Sequence, residues 1–258
     1  MRRVSYLLLA VAVYILFFGT FLYLIGFVAG LRMLPTSVDH GIRVPAGIAA
    51  LVDSTLITLF GIQHSLMARP AFKARWTRVI PKPIERTIYV LAASLTLIVL
   101  FALWCPIEGM SWQVDAPVGR NVLWMLFAAG WLIVLLSTFL ISHFELFGLS
   151  QVIGYLRHRQ PTRPQLRTPL FYKIVRHPLY AGFFIAFWAT PEMSYGHLLL
   201  ASGMSLVMLI AIHYEERDLL HVFGRKYEQY RTHVGMLTPR LRRSHRFPGR
   251  SLRRPALC

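Results

Sequence analysis

Cysteine and acidic residues are scarce in this sequence. Two cysteines, Cys105 and Cys258, occur in 258 residues, and their spacing matches neither a zinc site nor a redox pair. A secreted disulfide scaffold is therefore excluded. The 10 histidines are scattered without HExxH spacing, so no metal site is predicted. Charged residues make up 15% of the chain and apolar residues 55%, which excludes a disordered regulator and indicates a membrane protein.

Long apolar runs are what the sequence has in their place. A helix needs about 20 apolar residues to cross about 30 Å of hydrocarbon. Runs of that length predict helices at 5–31, 46–68, 85–104, 121–142 and 197–214. A shorter run at 178–189 reaches membrane length only if it continues to about Met193, and we expect it to do so. The sequence thus predicts an all-α polytopic membrane protein with about six transmembrane helices.

Lys and Arg lie almost entirely on one side of these predicted helices. With the N-terminus in the cytoplasm, 25 of the 28 fall on the cytoplasmic side and 3 on the other. The positive-inside rule therefore predicts that both termini are cytoplasmic. The tail at 240–258 holds 7 Arg and no acidic residue. We expect it to contact anionic lipid headgroups or to be disordered, and we expect no nucleic-acid partner.

Ionisable residues inside the predicted helices are the first functional clue, because charge is costly in hydrocarbon and often faces a cavity or a partner. Asp53 and His64 are 11 residues apart, close to three helical turns, and so share one face. We expect Asp53 to pair with another helix, whereas His64 is either a packed histidine or a functional one. His143 and Glu145 follow the fourth helix beside a run of aromatics, where a solvated helix end would give the same pattern.

Two polar clusters in the last third carry a stronger signal. Residues 176–180 precede the short apolar run, and Glu215 and Glu216 follow the last one. The 35 residues from Tyr180 to Glu215 predict a helical hairpin with arms of about 26 Å, which returns both clusters to one face. Pro178 suits a first helical turn, whose free N–H groups bind anions. The clusters predict a pocket for a zwitterionic, ribose-bearing ligand, unless these residues are only charged side chains that extend to the membrane surface.

The motifs YKIVRHPLYAG (172–182) and EERDLLHVFGRKYEQY (215–230) resemble the signature of a superfamily of integral membrane methyltransferases. It comprises the isoprenylcysteine carboxyl methyltransferases and the phospholipid methyltransferases. The resemblance covers about 168–235 and implies a hairpin that binds S-adenosylmethionine. The cofactor-binding residues that it implies are Tyr172, Arg176, His177, Pro178, Tyr180, Gly182, Glu215, Glu216 and Tyr227.

Three further motifs are similar to the bacterial methanethiol S-methyltransferases. They are GIQHSLMARPAFK (61–73), STFLISHFELFGLSQV (137–152) and FWATPEMSYGHLLLA (187–201). The resemblance implies S-methylation of a small volatile thiol, methanethiol, to dimethyl sulfide. It also implies a bacterial inner-membrane enzyme whose active site faces the cytoplasm. Because the thiolate is the nucleophile, one proton acceptor is needed, and the candidates are His64 or His143, with Glu145 as an orienting partner.

Alternative functions remain open at this point. A prenylated cysteine carboxylate or a phospholipid amine would suit the same superfamily. A haem-binding membrane isomerase, a nitrogen-oxide-related protein and a non-catalytic scaffold belong to other classes. The predicted regions are a four-helix membrane region at 1–142, a basic cytoplasmic loop at 143–177, a hairpin and cofactor region at 178–239 and a basic tail at 240–258. The sequence predicts no oligomeric state.

Overall fold

The structure, a computed structural model, describes residues 1–159 and 166–240 and is almost entirely helical there. The helices are α1 (Arg2–Val28), α2 (Ala46–Ala68), α3 (Pro70–Trp76), α4 (Glu85–Leu103), α5 (Pro117–Ile141), α6 (His143–Leu146), α7 (Leu149–Leu156), α8 (Pro178–Trp188), α9 (Tyr195–Phe223) and α10 (Arg225–His233). Strands β1 (Met110–Gln113) and β2 (Glu192–Ser194) pair antiparallel. Short 3-10 turns lie at Lys82–Ile84 and Leu170–Lys173.

Within the described residues, five helices are long and apolar enough to cross a membrane: α1, α2, α4, α5 and α9. They coincide with the five long apolar runs of the sequence. Large apolar side chains such as Leu8, Ile15 and Leu22 point outward from α1 and are exposed. Apolar surface of this extent is rare on soluble proteins and suits lipid. The chain is therefore an all-α integral membrane protein, as the composition predicts.

Helix α8 is shorter than the sequence predicts. It ends at Trp188 after 11 residues, about 16 Å, so the expectation that it continues to Met193 is wrong. Pro191 disfavours helical backbone at the residue before it, and the following strand β2 pairs with β1 instead. The hairpin arms are consequently unequal, since α9 has 29 residues. Extended chain rises about 3.3 Å per residue, against about 1.5 Å in a helix. The non-helical segment 189–194 therefore spans part of the distance that the short helix α8 does not.

Helix α8 packs against α5 more closely than side chains would allow. A Cβ atom on Gly182 would lie 2.7 Å from the carbonyl oxygen of Gly130, and one on Gly130 would lie 2.8 Å from that of Gly182. The two backbones therefore touch at this crossing, as small residues permit between membrane helices. This contact fixes the position of α8 against α5.

Asp53 lies on the side of α2 that faces α4 and is completely buried. Its Oδ1 accepts a hydrogen bond of 2.9 Å from the backbone N–H of Cys105, just after α4 ends. Nearby, the indole N–H of Trp104 donates to the carbonyl of Val38. These bonds fasten the ends of α2 and α4 to the loop after α1. Asp53 thus engages a neighbouring helix end, as expected.

The end of the bundle that holds the starts of α1, α4 and α8 carries most of the Lys and Arg, and we call it the basic face. The segment 143–177, predicted as a basic loop, contains α6, α7 and a 3-10 turn in its described part. Arg69 bridges this end of α2 to Asp218 of α9 at 3.1 Å. Residues 160–165 of that segment and 241–258 of the predicted basic tail lie outside the described residues.

Candidate active site

A cavity of about 1120 Å³ lies between α1, α2, α4, α5, α8 and α9, in the half of the bundle next to the basic face. Pockets for one small ligand measure about 300–1,000 Å³, so this cavity has room for a nucleoside-sized molecule and a small partner. Both candidate bases and most of the candidate cofactor residues line it. The six helices therefore bring into one space residues that are far apart in sequence.

The cavity lining changes from polar to apolar with depth. Near the basic face it is polar, with His64, Arg69, Lys73, Arg86, Glu215 and Asp218 in its wall. Deeper in the bundle it is apolar, with Phe21, Leu24, Leu97, Phe183, Phe187 and Met204. We call these the polar end and the apolar end. One cavity can thus take a charged molecule and an apolar one side by side.

The two polar clusters of the hairpin meet at the basic face. Arg176 contacts Oε1 of Glu216 through Nε and Nη2, each at 2.8 Å, and His177 Nε2 lies 3.2 Å from the same oxygen. Nη1 of Arg176 donates to the carbonyls of Arg231 and Val234. The guanidinium is nearly buried, with 10% of the side chain exposed, and its charge is matched inside the protein. Arg176 is therefore held in place by the protein's own groups.

The residues after α10 complete this arrangement. The backbone N–H of Arg176 donates to the carbonyl of Gly235 at 2.8 Å, and that of His177 donates to Met236 at 3.1 Å. The segment 234–236 thus fastens the start of α8. Sequence reasoning missed this contact, because pairing between two backbones leaves no pattern of side-chain types.

Glu215 faces the polar end and accepts a hydrogen bond of 3.1 Å from the hydroxyl of Tyr180. Tyr227 of α10 also lines the cavity and is 1% exposed, and its hydroxyl lies near the carboxylate of Glu216 without a hydrogen bond of regular geometry among the described residues. Burial, reinforced by the charge of Glu216, raises the pKa of Tyr227 well above its ordinary value. The hydroxyl therefore stays protonated and can donate to a ligand.

The remaining cofactor candidates take different positions. Tyr172 lines the cavity, and its carbonyl accepts a hydrogen bond from the hydroxyl of Tyr230. Pro178 occupies the first turn of α8, as predicted. Gly182 faces α5 at the helix crossing. Pro178, Gly182 and Glu216 are not among the residues that line the large cavity.

His64 has one hydrogen-bond partner among the described residues, the hydroxyl of Tyr89, whose oxygen lies 2.9 Å from Nε2 and 3.1 Å from Nδ1. Its ring stacks on Phe60, with the centroids 5.2 Å apart. All three side chains line the cavity. His64 therefore lies at the level where the polar end meets the apolar end. One hydroxyl bonds only one ring nitrogen at a time, so when the Tyr89 oxygen accepts from the ring N–H, the other nitrogen is available to accept a proton.

His143 is fully bonded inside the protein. The hydroxyl of Thr138 donates to a carbonyl of its own helix at 2.7 Å, so it accepts from Nδ1–H of His143 at 2.8 Å. Nε2 then accepts from the hydroxyl of Tyr14 at 2.8 Å. Burial lowers the pKa of His143, so the ring stays neutral. Glu145 lines the cavity but does not contact His143, because residues two apart on a helix face different directions.

Sequence reasoning also missed three cations at the polar end, namely Arg69, Lys73 and Arg86. Arg86 donates to the carbonyl of Leu146 at 2.7 Å and lies 4.8 Å above the ring of Tyr89. Lys73 lines the cavity one turn after Arg69. Lys73 is part of the motif at 61–73, and a lysine or arginine next to an apolar run is common enough that only the fold distinguishes these from surface charges. The described residues contain no group of three or more His, Cys, Asp or Glu that could hold a metal ion.

Known proteins resemble this chain over most of its length. The methanethiol S-methyltransferase of Pseudomonas deceptionensis is 52% identical over 211 residues, 82% of this chain and 80% of that protein. The enzyme of the same name from Mycobacterium tuberculosis is 46% identical over 239 residues, 93% of this chain and 98% of that protein. Methanethiol S-methyltransferase 2 of Bradyrhizobium diazoefficiens is 45% identical over 256 residues, 98% of this chain and 97% of that protein.

No family model and no solved structure matches the chain. The identity to the named enzymes nevertheless extends through the N-terminal helices and the hairpin alike. It therefore includes the helices that form both ends of the cavity. On this identity and coverage, the chain belongs to the methanethiol S-methyltransferase family.

Proposed function

We propose that this protein transfers a methyl group from S-adenosylmethionine to methanethiol, forming dimethyl sulfide and S-adenosylhomocysteine. The cavity carries this proposal, because its polar end suits a charged nucleoside and its apolar end suits an alkyl thiol. The printed names of the relatives support methanethiol as the acceptor.

The residues at the polar end match the donor's functional groups. Glu215 offers a carboxylate for a hydroxyl or ammonium group, and the buried hydroxyl of Tyr227 offers a donor. The ring of Tyr180 offers an aromatic face, which attracts cations such as a sulfonium. S-adenosylmethionine supplies a methyl group that is electrophilic because it is bonded to a positively charged sulfur. These three residues are therefore proposed to hold the donor directly.

Other candidate cofactor residues are proposed to act by positioning the hairpin. Glu216 binds both Arg176 and His177, and it thereby fixes the start of α8. Pro178 and Gly182 also position α8. Pro178 starts the helix, and Gly182 allows its close contact with α5. A change at these positions would displace Tyr180 from the cavity wall and so weaken donor binding.

His64 is proposed as the proton acceptor. His64 would take the thiol proton of methanethiol on the ring nitrogen that Tyr89 does not bond, and would hold it until solvent takes it. The thiolate left behind would then accept the methyl group that the donor supplies when bound. Tyr89 orients the ring through its hydroxyl. His143 is a weaker candidate, since both of its nitrogens are already bonded.

The polar end is proposed to face the cytoplasm of a bacterial cell, with the protein in the inner membrane. The distribution of Lys and Arg supports this orientation. A charged donor cannot cross the bilayer unaided, whereas a small apolar thiol can. Each substrate would then reach the end of the cavity that matches its polarity.

Headspace gas chromatography with mass detection tests this function. Membranes containing the protein are supplied with methanethiol and with S-adenosylmethionine whose methyl group is deuterated. We expect the deuterated methyl group in dimethyl sulfide from the wild type and from Glu228→Ala, an exposed control, but much less from Glu216→Ala. If donor binding persists and no dimethyl sulfide forms, the acceptor is wrong, and a prenylated cysteine or a lipid amine replaces it.

A further inference from the structure

The polar end needs a cation that is free to bind an anion. The amino-acid part of S-adenosylmethionine carries a carboxylate, and Arg176 is already matched by Glu216 and by two carbonyls. Among the other cations of the cavity wall, Arg69 pairs with Asp218 at 3.1 Å, and Arg86 is bonded to a carbonyl and lies over Tyr89. These residues are therefore committed to contacts within the protein.

Lys73 differs from these cations. It lines the cavity and is only partly exposed, and its ammonium group has no ion pair or hydrogen bond within the described residues. Its backbone N–H donates to the carbonyl of Arg69 at 3.0 Å, which places it one turn beyond the bridge to Asp218. Asp218 itself lies three residues after Glu215 on α9. Lys73 thus belongs to the same polar end as the residues proposed to hold the donor.

The environment of Lys73 favours an incoming anion. Burial, followed by repulsion from Arg86 and Arg69, lowers the pKa of Lys73, and the nearby carboxylates of Glu85 and Asp218 offset only part of this effect. An ammonium group that is partly desolvated beside other cations is destabilised in its charged form, and a carboxylate next to it reverses that effect. Arg167 also lines the cavity, but its side chain is exposed to solvent.

We propose that Lys73 binds the carboxylate of the methyl donor, so that α3 holds the amino-acid end while the hairpin holds the remainder. This inference rests on the proposed use of S-adenosylmethionine. Lys73 lies in the N-terminal half of the chain, whereas the motifs that resemble a donor-binding site lie in the C-terminal half. The proposal therefore gives both halves a part in donor binding. It also gives a role to the connection between α2 and α4.

Calorimetry with two ligands tests the proposal. Purified wild type is titrated with S-adenosylhomocysteine and with its decarboxylated analogue, which lacks only the carboxylate. We expect the wild type to bind the first more tightly by about 10- to 100-fold, the effect of a hydrogen bond between charged groups. In Lys73→Met this preference is expected to disappear, and in Lys73→Arg to survive in part. Arg75→Met removes an exposed cation from the same helix and should keep the wild-type preference.

Kinetics provide a second readout. In Lys73→Met the KM for S-adenosylmethionine should rise by about the same 10- to 100-fold, while kcat and the KM for methanethiol stay near the wild-type values. A fall in kcat with unchanged donor KM would contradict a binding role.

The outcomes separate this proposal from the proposed function. If Lys73→Met keeps the preference for the carboxylate, another group such as the N-terminal amides of α8 binds it, and the proposal is overturned. An equal loss for both ligands means that Lys73 only shapes the cavity, which also overturns it. If the wild type forms dimethyl sulfide but binds both ligands equally, the function stands and the role of Lys73 falls. If the wild type binds neither ligand, the donor itself is wrong.

Discussion

At the scale of single residues, hydrogen-bond saturation distinguishes two histidines that line the same cavity. His143 has Thr138 and Tyr14 on its two nitrogens, whereas His64 has the hydroxyl of Tyr89 alone among the described residues. A base must have a nitrogen free to take the proton within hydrogen-bonding distance. The local sequences, both a histidine at the end of an apolar helix, do not reveal this difference.

His64→Ala is expected to lower kcat by about 100-fold or more, because general-base catalysis contributes about that factor. Donor affinity should be unchanged, since His64 is not among the residues proposed to hold the donor. Rates of dimethyl sulfide formation and calorimetry with S-adenosylhomocysteine check the two parts. His143→Gln serves as the matched control and should keep most of the turnover. Wild-type rates in His64→Ala would remove His64 from the mechanism.

Glu216→Ala is expected to weaken S-adenosylmethionine binding by about tenfold or more, because it leaves the guanidinium of Arg176 nearly buried without its carboxylate. The affinity is measured by calorimetry on the purified protein. Glu216→Gln keeps a hydrogen-bond acceptor and should lose less. Unaltered affinity in Glu216→Ala would show that this cluster does not position the donor site.

His143 gives the stability of the protein a pH dependence of known sign. Its folded pKa is lowered by burial, whereas an unfolded histidine titrates near about 6.5. Below that pH the unfolded chain binds a proton that the folded protein resists, so the free energy of unfolding decreases as pH falls towards the lowered folded value. The melting temperature is measured in detergent at about pH 7.5 and about pH 5.5. It should decrease more between these two pH values for the wild type than for His143→Gln. Equal decreases would exclude this contribution.

At the scale of helices, the contact between α5 and α8 is the element that positions the hairpin. Gly182 stands in the motif that resembles a cofactor site, yet it faces Gly130 of α5. Its small size is required by packing, because a Cβ atom there would overlap a backbone carbonyl that cannot move aside.

Gly130→Val and Gly182→Val should therefore have the same effect, although only one of them lies in the motif. Each is expected to separate α8 from α5, to lower the melting temperature and to reduce turnover at least tenfold, since displacements of about 1 Å can cost 100-fold. Circular dichroism melts and headspace rates check this. The control Gly154→Ala, where a Cβ meets no atom within 4 Å, should resemble the wild type. If only Gly182→Val loses activity and its melting temperature is normal, Gly182 is required for direct contact with the donor and not for helix packing.

Hydropathy predicts where the membrane helices lie in the sequence. It does not predict which helices pack against each other. Helix α2 begins and ends where its apolar run does. Pro191 is a sequence signal for the end of α8, but the pairing of β2 with β1, about 80 residues earlier in the chain, leaves no such local signal. In the site, hairpin length predicted that the clusters at 176–180 and 215–216 return to one face, but not that Arg176 pairs directly with Glu216. It could not predict that Arg176 is saturated by carbonyls of 231 and 234, or that Lys73 is left as a partly buried cation.

At the scale of the whole molecule, the proposed orientation has a direct test. Arg75→Cys lies on the basic face and Val118→Cys on the opposite one, and both positions are exposed. Each is made in a Cys258→Ser chain, where the remaining Cys105 is buried. An impermeant maleimide should label Val118→Cys in intact spheroplasts and Arg75→Cys only after lysis. The reverse pattern would contradict a cytoplasmic polar end.

The contact between the segment 234–236 and the start of α8 also imposes an order on events during synthesis. The apolar end of the cavity is lined by helices α1, α4, α8 and α9, which all precede residue 235, whereas Arg176 is fixed only once Gly235 and Met236 have left the ribosome. A nascent or shortened chain would already hold every helix that lines the apolar end. The start of α8 would stay unfastened until almost the last of the described residues had been added.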